Sequence, residues 1–483
     1  MSLSTLRIIG FILGVFLITL AIAMLIPMAG LLVLNQPQDL NAFLWASLIT
    51  AVTGCFLVGQ GRPKNATLRP RDMYLLTSAS WIVVCTFGAL PMMFIEHMSY
   101  TDAFFETMSG ITTTGSTVLS GLDNLSPGLL LWRSLLQWLG GIGFIGMAVA
   151  ILPLLRVGGM RLFQTESSDW GDKVMPRSHM AAKYIVLVYF TFTFSCIAAY
   201  LAAGMGWFDA INHALTTVST GGYSTSDNSM GKFSDNAHWV AIPFMLLASL
   251  PFTLYVAAFR GSWRPLWRDQ QVRGFLLILL AIWFVFTLWQ WHSGDHQFLD
   301  ALRLVMFNST SIITGTGYAV GDYSLWGSFA FMIFFYIAFI GGCSGSTTGG
   351  LKIFRFQVAL TLLRGNLKQM VHPRAVLIQK YNGHVLDEDI VRSILAFSFF
   401  FTITIGLLAL ALSLLGLDPI TALTGAATAV CNVGPGLGDT IGPAGNFGSL
   451  PDLAKWLLSL GMLLGRLEIV TLLVLLTGTF WRH

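Results

Sequence analysis

The segment YTDAFFETMSGITTTGSTV (100–118) introduces a pattern that returns three more times along the chain. The recurrences are FDAINHALTTVSTGGYST (208–225), LDALRLVMFNSTSIITGTGYAVGD (299–322) and LDPITALTGAATAVCNVGPGLGD (417–439). Each copy has an aspartate that we expect to be a helix N-cap, then about 8–14 largely apolar residues, too few to cross a bilayer, and then a break into Thr, Ser and Gly. The aspartates are Asp102, Asp209, Asp300 and Asp418, and the final aligned glycines are Gly115, Gly222, Gly317 and Gly434. The pattern predicts four re-entrant helix–loop segments.

The composition around these segments is that of a polytopic α-helical membrane protein. Hydrophobic residues make up 55% of the 483 residues and charged residues only 10%, whereas a soluble domain is about 25% charged. These values exclude a disordered chain, a nucleic-acid binder and a soluble enzyme. Stretches long enough to span a bilayer lie at 8–33, 42–60, 73–94, 130–155, 184–204, 237–259, 274–292, 325–341, 394–416 and 456–479. Ten complete spans place both termini on one side.

The charged residues divide unevenly between the two sets of loops. The side that holds both termini carries 22 of the 27 Lys and Arg residues, which by the positive-inside rule makes it cytoplasmic. The basic residues of the opposite loops are Lys232, Arg303 and Lys455. Fourteen of the 23 acidic residues, Glu106 among them, fall on the outer side. They either attract cations to an outer mouth or are ordinary caps and solvated loop residues.

The repeat organises the chain into units. The fold class that we expect is an all-α polytopic membrane protein, with four pseudo-symmetric helix–pore loop–helix units around a central pore. The predicted boundaries are 1–68 for an N-terminal transmembrane hairpin, and 69–160, 161–270, 271–380 and 381–483 for the four units. Non-helical backbone survives at membrane depth only where it lines a water-filled path or is shielded by protein. Four Gly/Thr loops around one axis can therefore aim carbonyl oxygens at a common centre and replace the hydration shell of a monovalent cation.

Specific motifs support this interpretation. Loop 1, TTTGST (112–117), loop 2, STGGYST (219–225), loop 3, TGTGY (314–318), and loop 4, CNVGPGLG (431–438), resemble the filter segments of the Trk/Ktr/HKT superfamily of cation transporters. GGCSGSTTGGLKIFR (341–355), HPRAV (372–376) and GRLEI (465–469) are similar to signatures of its TrkH family, the membrane subunits of bacterial Trk potassium uptake systems. The resemblance covers the whole chain.

The resemblance implies K⁺ uptake through four pore units and names the residues of a K⁺ selectivity filter. These are Thr113, Thr114, Gly115, Thr220, Gly221, Gly222, Gly315, Thr316, Gly317, Asn432, Val433 and Gly434. In this family a glycine at the last position of every triplet goes with K⁺ selectivity, and the chain has all four. Loop 4 departs from the pattern, because Pro435 follows its glycine where an aromatic residue is expected.

A second Gly-rich stretch interrupts the eighth predicted span. Its residues, which cannot form a stable lipid-facing helix, are Gly341, Gly342, Cys343, Ser344, Gly345, Ser346, Thr347, Thr348, Gly349 and Gly350. They form either a glycine kink for helix packing or a flexible loop below the filter. The resemblance implies that this intramembrane loop is the gate.

Two charges lie inside the tenth predicted span, where a charge is costly. Arg466 and Glu468 either pair locally, or Arg466 lies beside the pore beneath the filter, as the resemblance implies, and raises the barrier to K⁺. Arg133 lies near the outer end of its own span, where its side chain can snorkel.

The expected function is K⁺ uptake across the bacterial inner membrane by channel-like conduction, with K⁺ as the transported ion and no organic cofactor. The alternative is a secondary transporter that couples cation uptake to H⁺ or Na⁺. Since the sequence carries no nucleophile or metal-ligand constellation, we do not expect an enzyme. Basic residues from Arg364 to Arg392 offer a cytoplasmic docking surface. The resemblance implies a TrkA-type ring of nucleotide-binding regulatory subunits there, and a homodimer of this chain.

Overall fold

The computed structural model of the chain describes residues 3–61, 69–150, 178–293, 297–375 and 377–482. Several predictions fall outside these ranges: the end of the span at 130–155, the boundaries at 68 and 160, and Val376 of the HPRAV motif. The loop charges outside them are Arg62, Lys64, Arg156, Arg161, Glu166, Asp169, Asp172, Lys173, Arg177 and Asp295.

Helices dominate the described chain, which confirms the predicted all-α membrane class. The hairpin and first unit contain α1 Leu3–Ala23, α2 Leu25–Val33, α3 Leu40–Gly59, α4 Pro70–Gly88, α5 Leu90–Ile95, α6 Tyr100–Ile111 and α7 Pro127–Ala150. The second unit contains α8 Ser178–Ala202, α9 Trp207–Val218, α10 Asp235–Ser249, α11 Phe252–Phe259 and α12 Arg264–Arg268. The third contains α13 Gln270–Ser293, α14 Phe298–Ile313, α15 Ser328–Ile337, β1 Ile340–Gly341, β2 Leu351–Lys352 and α16 Ile353–Val371. A hairpin of β3 Lys380–Tyr381 and β4 His384–Val385 leads to α17 Glu388–Leu414, α18 Pro419–Cys431, α19 Asp452–Arg466, α20 Val470–Leu473 and α21 Gly478–Arg482.

Three of the ten predicted spans are wrong as continuous helices. Among the described residues, seven helices are long and apolar enough to cross a bilayer, or nine if each bent pair counts as one span. The stretch 237–259 is broken between α10 and α11, which meet at 96°, and 456–479 is broken after α19, where the bend is 107°. The stretch 325–341 forms only the ten-residue α15. Hydropathy averaged over a span does not register the breaks, because the segments on both sides of each break are mostly apolar.

The sixth span breaks at Pro251. Proline has no N–H for a helical hydrogen bond and disfavours helical geometry in the residue before it, and Leu250 accordingly is extended (φ −91°, ψ 160°). The break frees backbone groups at the end of α10 and the start of α11.

The four re-entrant helices are α6, α9, α14 and α18, of 12, 12, 16 and 13 residues. The predicted aspartate N-cap is correct only for Asp418, whose carboxylate accepts a hydrogen bond from Thr421 N at 3.0 Å. The other three aspartates lie inside the first helical turn, each after a different N-cap residue: Asp102 after Ser99, Asp209 after Gly206, and Asp300 after Gln297. A carboxylate in the first turn still compensates the positive end of the helix dipole, so sequence alone did not separate the two positions.

The units follow each other in cyclic order. The helix after each loop packs on the re-entrant helix of the next unit in three cases: α7 on α9, α10 on α14, and α19 on α6. The last of these contacts joins the fourth unit back to the first. The four loops are thereby brought to one centre.

Candidate functional site

Each of the four loops has the same backbone alternation. The first and third residues of every triplet have positive φ, and the middle residue does not. The pairs are Thr113 and Gly115 (55° and 89°), Thr220 and Gly222 (53° and 78°), Gly315 and Gly317 (69° and 79°), and Asn432 and Gly434 (53° and 109°). Glycine adopts this conformation readily and asparagine more often than other residues, but threonine adopts it only where packing enforces it.

The four final glycines form a closed ring with the middle carbonyls. A Cβ on Gly115 would overlap the Gly221 carbonyl oxygen, and each later glycine faces the next loop in the same way. A Cβ on Gly222 would meet the Thr316 carbonyl oxygen, one on Gly317 the Val433 carbonyl oxygen, and one on Gly434 the Thr114 carbonyl oxygen. Loop 4 therefore closes on loop 1, and the twelve residues of the predicted set are brought together as four adjoining segments.

This ring suits a monovalent cation. Its oxygens are neutral backbone carbonyls, which can substitute for water around a weakly hydrated ion. The re-entrant helices α6, α9, α14 and α18 all end directly at the loops, so the partial negative charge at their C-termini is directed there. Side chains tie the loops to each other: Asn432 Nδ2 donates to Thr114 Oγ1 at 2.9 Å, and Ser116 Oγ donates to the Gly434 carbonyl at 2.8 Å.

The 341–350 loop is closed at its neck. Ile340 and Gly341 pair in parallel with Leu351 and Lys352, and Ile353 N donates to the Gly342 carbonyl at 3.2 Å. Within the loop, Ser346 Oγ donates to the Cys343 carbonyl at 2.6 Å. The stretch is thus a compact loop with its own hydrogen bonds, not a kinked helix.

The loop fills the break between α10 and α11. Cys343 N donates to the Ser249 carbonyl at 2.9 Å, and Thr347 Oγ1 donates to the Ala248 carbonyl at 3.0 Å. Phe252 N donates in turn to the Gly345 carbonyl at 3.0 Å. Backbone groups that the break leaves without helical partners are therefore satisfied by the loop.

The loop also lies against the ring, on the side where the four triplets begin. Thr220 Oγ1 donates to Thr347 Oγ1 at 3.1 Å, and Gly349 packs against the Cys431 carbonyl and the Asn432 side chain. A Cβ on Gly315 would lie 3.6 Å from Gly349 N. The loop therefore contacts the first residues of three triplets.

Arg466 holds the tip of this loop. Its side chain is fully buried; one terminal nitrogen donates to the Thr347 carbonyl at 2.9 Å, and the guanidinium lies 3.8 Å from the centroid of the Phe144 ring. Its Nε and other terminal nitrogen have no hydrogen-bond partner within the described ranges. Arg466 is the last residue of α19, and Glu468 and Ile469 follow with φ of 58° and 43°. A positive φ at a β-branched residue is a strained conformation, so the helix is forced to turn here.

Of the two alternatives for Arg466 and Glu468, the local pair is not formed. Glu468 instead pairs with Arg355 at 2.5 Å, and the Arg355 guanidinium lies 3.7 Å from the centroid of Phe397. Arg355 and Lys352 are two of the 22 basic residues that the sequence predicts on the cytoplasmic side, but both are buried. Lys352 Nζ donates to the Thr348 carbonyl and to its hydroxyl. Lys352 and Arg355 thus lie at the base of the loop, where Glu468 pairs with Arg355, and Arg466 lies at its tip.

The prediction that Arg133 snorkels is also wrong. Arg133 is buried on α7 and pairs with Glu106 of α6 at 2.8 Å. Glu106 is fully buried as well, so it does not belong to the outer acidic surface.

The three outer basic residues are each paired with outer acids. Lys455 contacts Asp102 at 2.6 Å, Lys232 contacts Asp123 at 2.5 Å, and Arg303 contacts Asp235 at 2.8 Å. The hydrogen bond from Lys232 lowers the pKa of Asp123 below its ordinary value. Because the acidic residues of these loops outnumber the basic ones, this surface keeps a net negative charge.

The sequence matches the family model "TrkH: Cation transport protein" over residues 40–482. The chain belongs to the TrkH cation transport family. It is 51% identical to the Trk system potassium uptake protein TrkI of Halomonas elongata, over 98% of this chain and 96% of that protein. It is 37% identical to the Trk system potassium uptake protein TrkH of Escherichia coli, over 98% of both.

The fold matches that of a solved TrkH-family structure. The crystal structure of the potassium transporter TrkH from Vibrio parahaemolyticus aligns with a TM-score of 0.91 at 35% identity, over 99% of this chain and all of that one. The family assignment made from the loop motifs is confirmed, and membership of a transport family agrees with the expectation that the chain is not an enzyme.

One residue that contacts the ring of this TrkH-family chain is not among the predicted site residues. Gln137 of α7 donates from Nε2 to the Gly221 carbonyl at 2.6 Å and accepts from Tyr223 N at 3.0 Å. Its signal is an uncharged polar side chain in a largely apolar span, which becomes informative only when the neighbouring loop is known.

Proposed function

We propose that this TrkH-family chain takes up K⁺ by conduction through the ring of loops 1 to 4. The observation that carries the proposal is the closed cycle in which the final glycine of each triplet faces the middle carbonyl of the next loop. Such a ring offers oxygen ligands to a dehydrated cation without fixed negative charge, so the ion can also leave. The relatives named above are potassium uptake proteins, which supports K⁺ as the cargo.

The 341–350 loop is proposed as the gate and Arg466 as a charge barrier. The contacts of Thr347 with Ala248, Thr220 and Arg466 hold the loop against the ring, and a cation cannot pass until the loop moves aside. The buried positive charge of Arg466 opposes a K⁺ ion on the same path. Movement of the loop would break its hydrogen bonds to the α10–α11 break, so gate and helix bend are mechanically coupled.

The proposed location is the inner membrane of a bacterium, with both termini in the cytoplasm. The charge asymmetry of the loops supports this orientation. A membrane potential, negative inside, contributes about 2.3 kcal/mol per charge per 100 mV, enough for roughly 50-fold accumulation of K⁺.

The proposed partners are a cytoplasmic TrkA-type nucleotide-binding ring and a second copy of this chain. The basic residues Arg364, Lys368, Arg374, Lys380 and Arg392 are all exposed, and they offer a positively charged docking surface. We expect charge reversal at three of these positions to abolish co-purification with a TrkA-type protein, while the size of the purified membrane subunit stays that of a dimer.

The alternative, a secondary transporter, is favoured by one feature. Broken helices such as α10–α11 and α19–α20 are typical of such transporters, which place ion sites at the breaks. Here, however, the 341–350 loop fills the α10–α11 break, and Glu468, the carboxylate at the α19–α20 break, is already paired with Arg355. Channel-like conduction therefore explains the geometry better.

The two functions separate in a planar bilayer that contains the purified chain. We expect K⁺ current that is linear in voltage and reverses near the K⁺ equilibrium potential. Deletion of residues 342–349 should raise this current several-fold, because the proposed gate is lost. Saturable flux in a fixed ratio to H⁺ or Na⁺ would establish the alternative, and an unchanged current after the deletion would remove the loop from the gate.

A further inference from the structure

A buried ion pair lies behind the first two loops. Glu106 on α6 and Arg133 on α7 have side chains that are at most 1% exposed, and their Oε1 and Nε atoms are 2.8 Å apart. Bringing two charges out of water costs several kcal/mol per ion unless both are well paired. Nothing in the conduction path described above uses either residue, so their burial calls for another role.

Arg133 connects two loops at equivalent positions. Its terminal nitrogens donate to Thr117 Oγ1 at 3.1 Å and to the Ser224 carbonyl at 3.2 Å. Thr117 and Ser224 each lie two residues after the final glycine of their triplet. The guanidinium also lies 4.0 Å from the centroid of the Tyr223 ring. A planar group with several fixed donors is thus shared between loop 1 and loop 2.

Glu106 completes this connection from the other side. Its carboxylate accepts from Val118 N at 2.9 Å and from Thr117 Oγ1 at 3.0 Å. Its backbone carbonyl accepts from the Tyr223 hydroxyl at 2.7 Å. Both loops are therefore tied to α6 and α7 immediately beyond their carbonyl ring.

The other three units hold their loops from the corresponding helix position by different chemistry. His213 and Asn308 lie nine residues before the final glycine of their triplets, as Glu106 does, and Thr424 lies ten before. In the second unit, His213 Nε2 contacts Ser224 Oγ at 3.0 Å. In the third, the Asn308 side chain accepts from Val320 N at 3.0 Å and donates to the Val320 carbonyl at 3.1 Å. In the fourth, Thr424 Oγ1 accepts from Leu437 N at 3.2 Å. Among these four positions only the first carries a charge. The first two loops consequently have the connection that is most costly to break.

We propose that Glu106 and Arg133 are positioning residues for ion selectivity. They hold loops 1 and 2 at fixed separation, so that the ring cannot contract around a smaller cation such as Na⁺. This inference rests on the proposed function, since it concerns the ions that pass through the same ring. Without the pair, loop 1 is no longer held at a fixed distance from loop 2, so the Thr114 carbonyl can follow a smaller ion inward and discrimination against Na⁺ falls.

The test measures reversal potentials with K⁺ on one side of the bilayer and Na⁺ on the other. We expect Glu106→Gln, which keeps the acceptor for Val118 N but removes the charge, to lower the K⁺ to Na⁺ permeability ratio by about tenfold, equivalent to about 1.4 kcal/mol. Arg133→Lys keeps the positive charge but has fewer hydrogen-bond donors. Its K⁺ to Na⁺ permeability ratio should lie between those of Glu106→Gln and the wild-type chain. The matched control is Asp102→Asn, on the same helix as Glu106. It breaks the ion pair with Lys455 of α19, away from the loops, and its permeability ratio should not change.

The outcomes are distinct. Unchanged ratios in Glu106→Gln and Arg133→Lys overturn the inference, and so does an equal fall in Asp102→Asn, which would indicate general loosening of α6. If Glu106→Gln does not yield a monodisperse protein, Tyr223→Phe removes one connection between Glu106 and loop 2, and a lowered ratio is again expected; an unchanged one overturns the inference. A wild-type chain that passes no K⁺ overturns the proposed function and this inference with it.

Discussion

Gly315 and Gly317 provide a matched pair of substitutions within one loop. Both have positive φ, 69° and 79°, so alanine at either position carries a backbone cost of about 1–2 kcal/mol. They differ in their neighbours. A Cβ on Gly315 would lie 3.3 Å from the Asn432 carbonyl oxygen, a tight contact that small shifts relieve, whereas a Cβ on Gly317 would overlap the Val433 carbonyl oxygen.

The two variants should therefore separate backbone strain from damage to the ring. In Gly317→Ala the Val433 carbonyl must move by on the order of 1 Å to restore van der Waals distance. If that oxygen contributes to the bound ion about as much as a hydrogen bond to a charged group, about 1.5–3 kcal/mol, K⁺ flux falls by about 10- to 150-fold. Gly315→Ala should lose stability by a similar amount but keep most of its flux.

The assay is K⁺ flux per folded molecule in proteoliposomes, with folded protein measured by size-exclusion chromatography and thermal melting. Equal fluxes in the two variants would refute the reasoning, because the overlap with Val433 is then irrelevant to conduction. Normal flux in Gly317→Ala would go further and remove loop 3 from the ion path.

Other residues give shorter tests. Arg466→Gln should raise K⁺ flux, by roughly tenfold if the barrier falls by 1.4 kcal/mol, and unchanged flux would exclude a charge barrier. Glu468→Gln should cost about 3–5 kcal/mol of stability, because the buried Arg355 loses its carboxylate; thermal melting should show partial recovery when Arg355→Met is added. The pKa of Asp123 is lowered by Lys232, so their pair stabilises the fold above the ordinary aspartate pKa and stops doing so as pH falls through the lowered value. Because both side chains are about two-fifths exposed, Asp123→Asn should remove less than about 1 kcal/mol of pH-dependent stability, measured as the melting temperature between neutral and acidic pH.

The loops show how far local sequence reasoning reaches. Glycine at the third position of each triplet predicts the positive φ that the structure has, because only glycine adopts it without cost. The first positions were not predictable in this way, since Thr113, Thr220 and Asn432 share the same conformation without being glycine. Packing between the loops imposes it there, and packing is not a property of any one segment.

The charged residues show where local reasoning fails. Glu468 is two residues from Arg466 in the chain, yet its partner is Arg355, 113 residues away. The α19 helix ends between the two neighbours and turns by 107°, which carries their side chains in different directions. Proximity in sequence implies proximity in space only while the helix continues.

The amino-acid sequence alone was sufficient to predict the membrane class, the four re-entrant segments, the family and the identity of the loop residues. These features are written in composition, repetition and local conformational preference. Three features became visible only in the folded chain: the loops close into a ring, the 341–350 loop occupies the break between α10 and α11, and Glu106 pairs with Arg133 behind the ring. Each of these depends on contacts between segments far apart in the chain, and buried polar groups select such contacts because leaving them unpaired costs more than bending a helix to reach a partner.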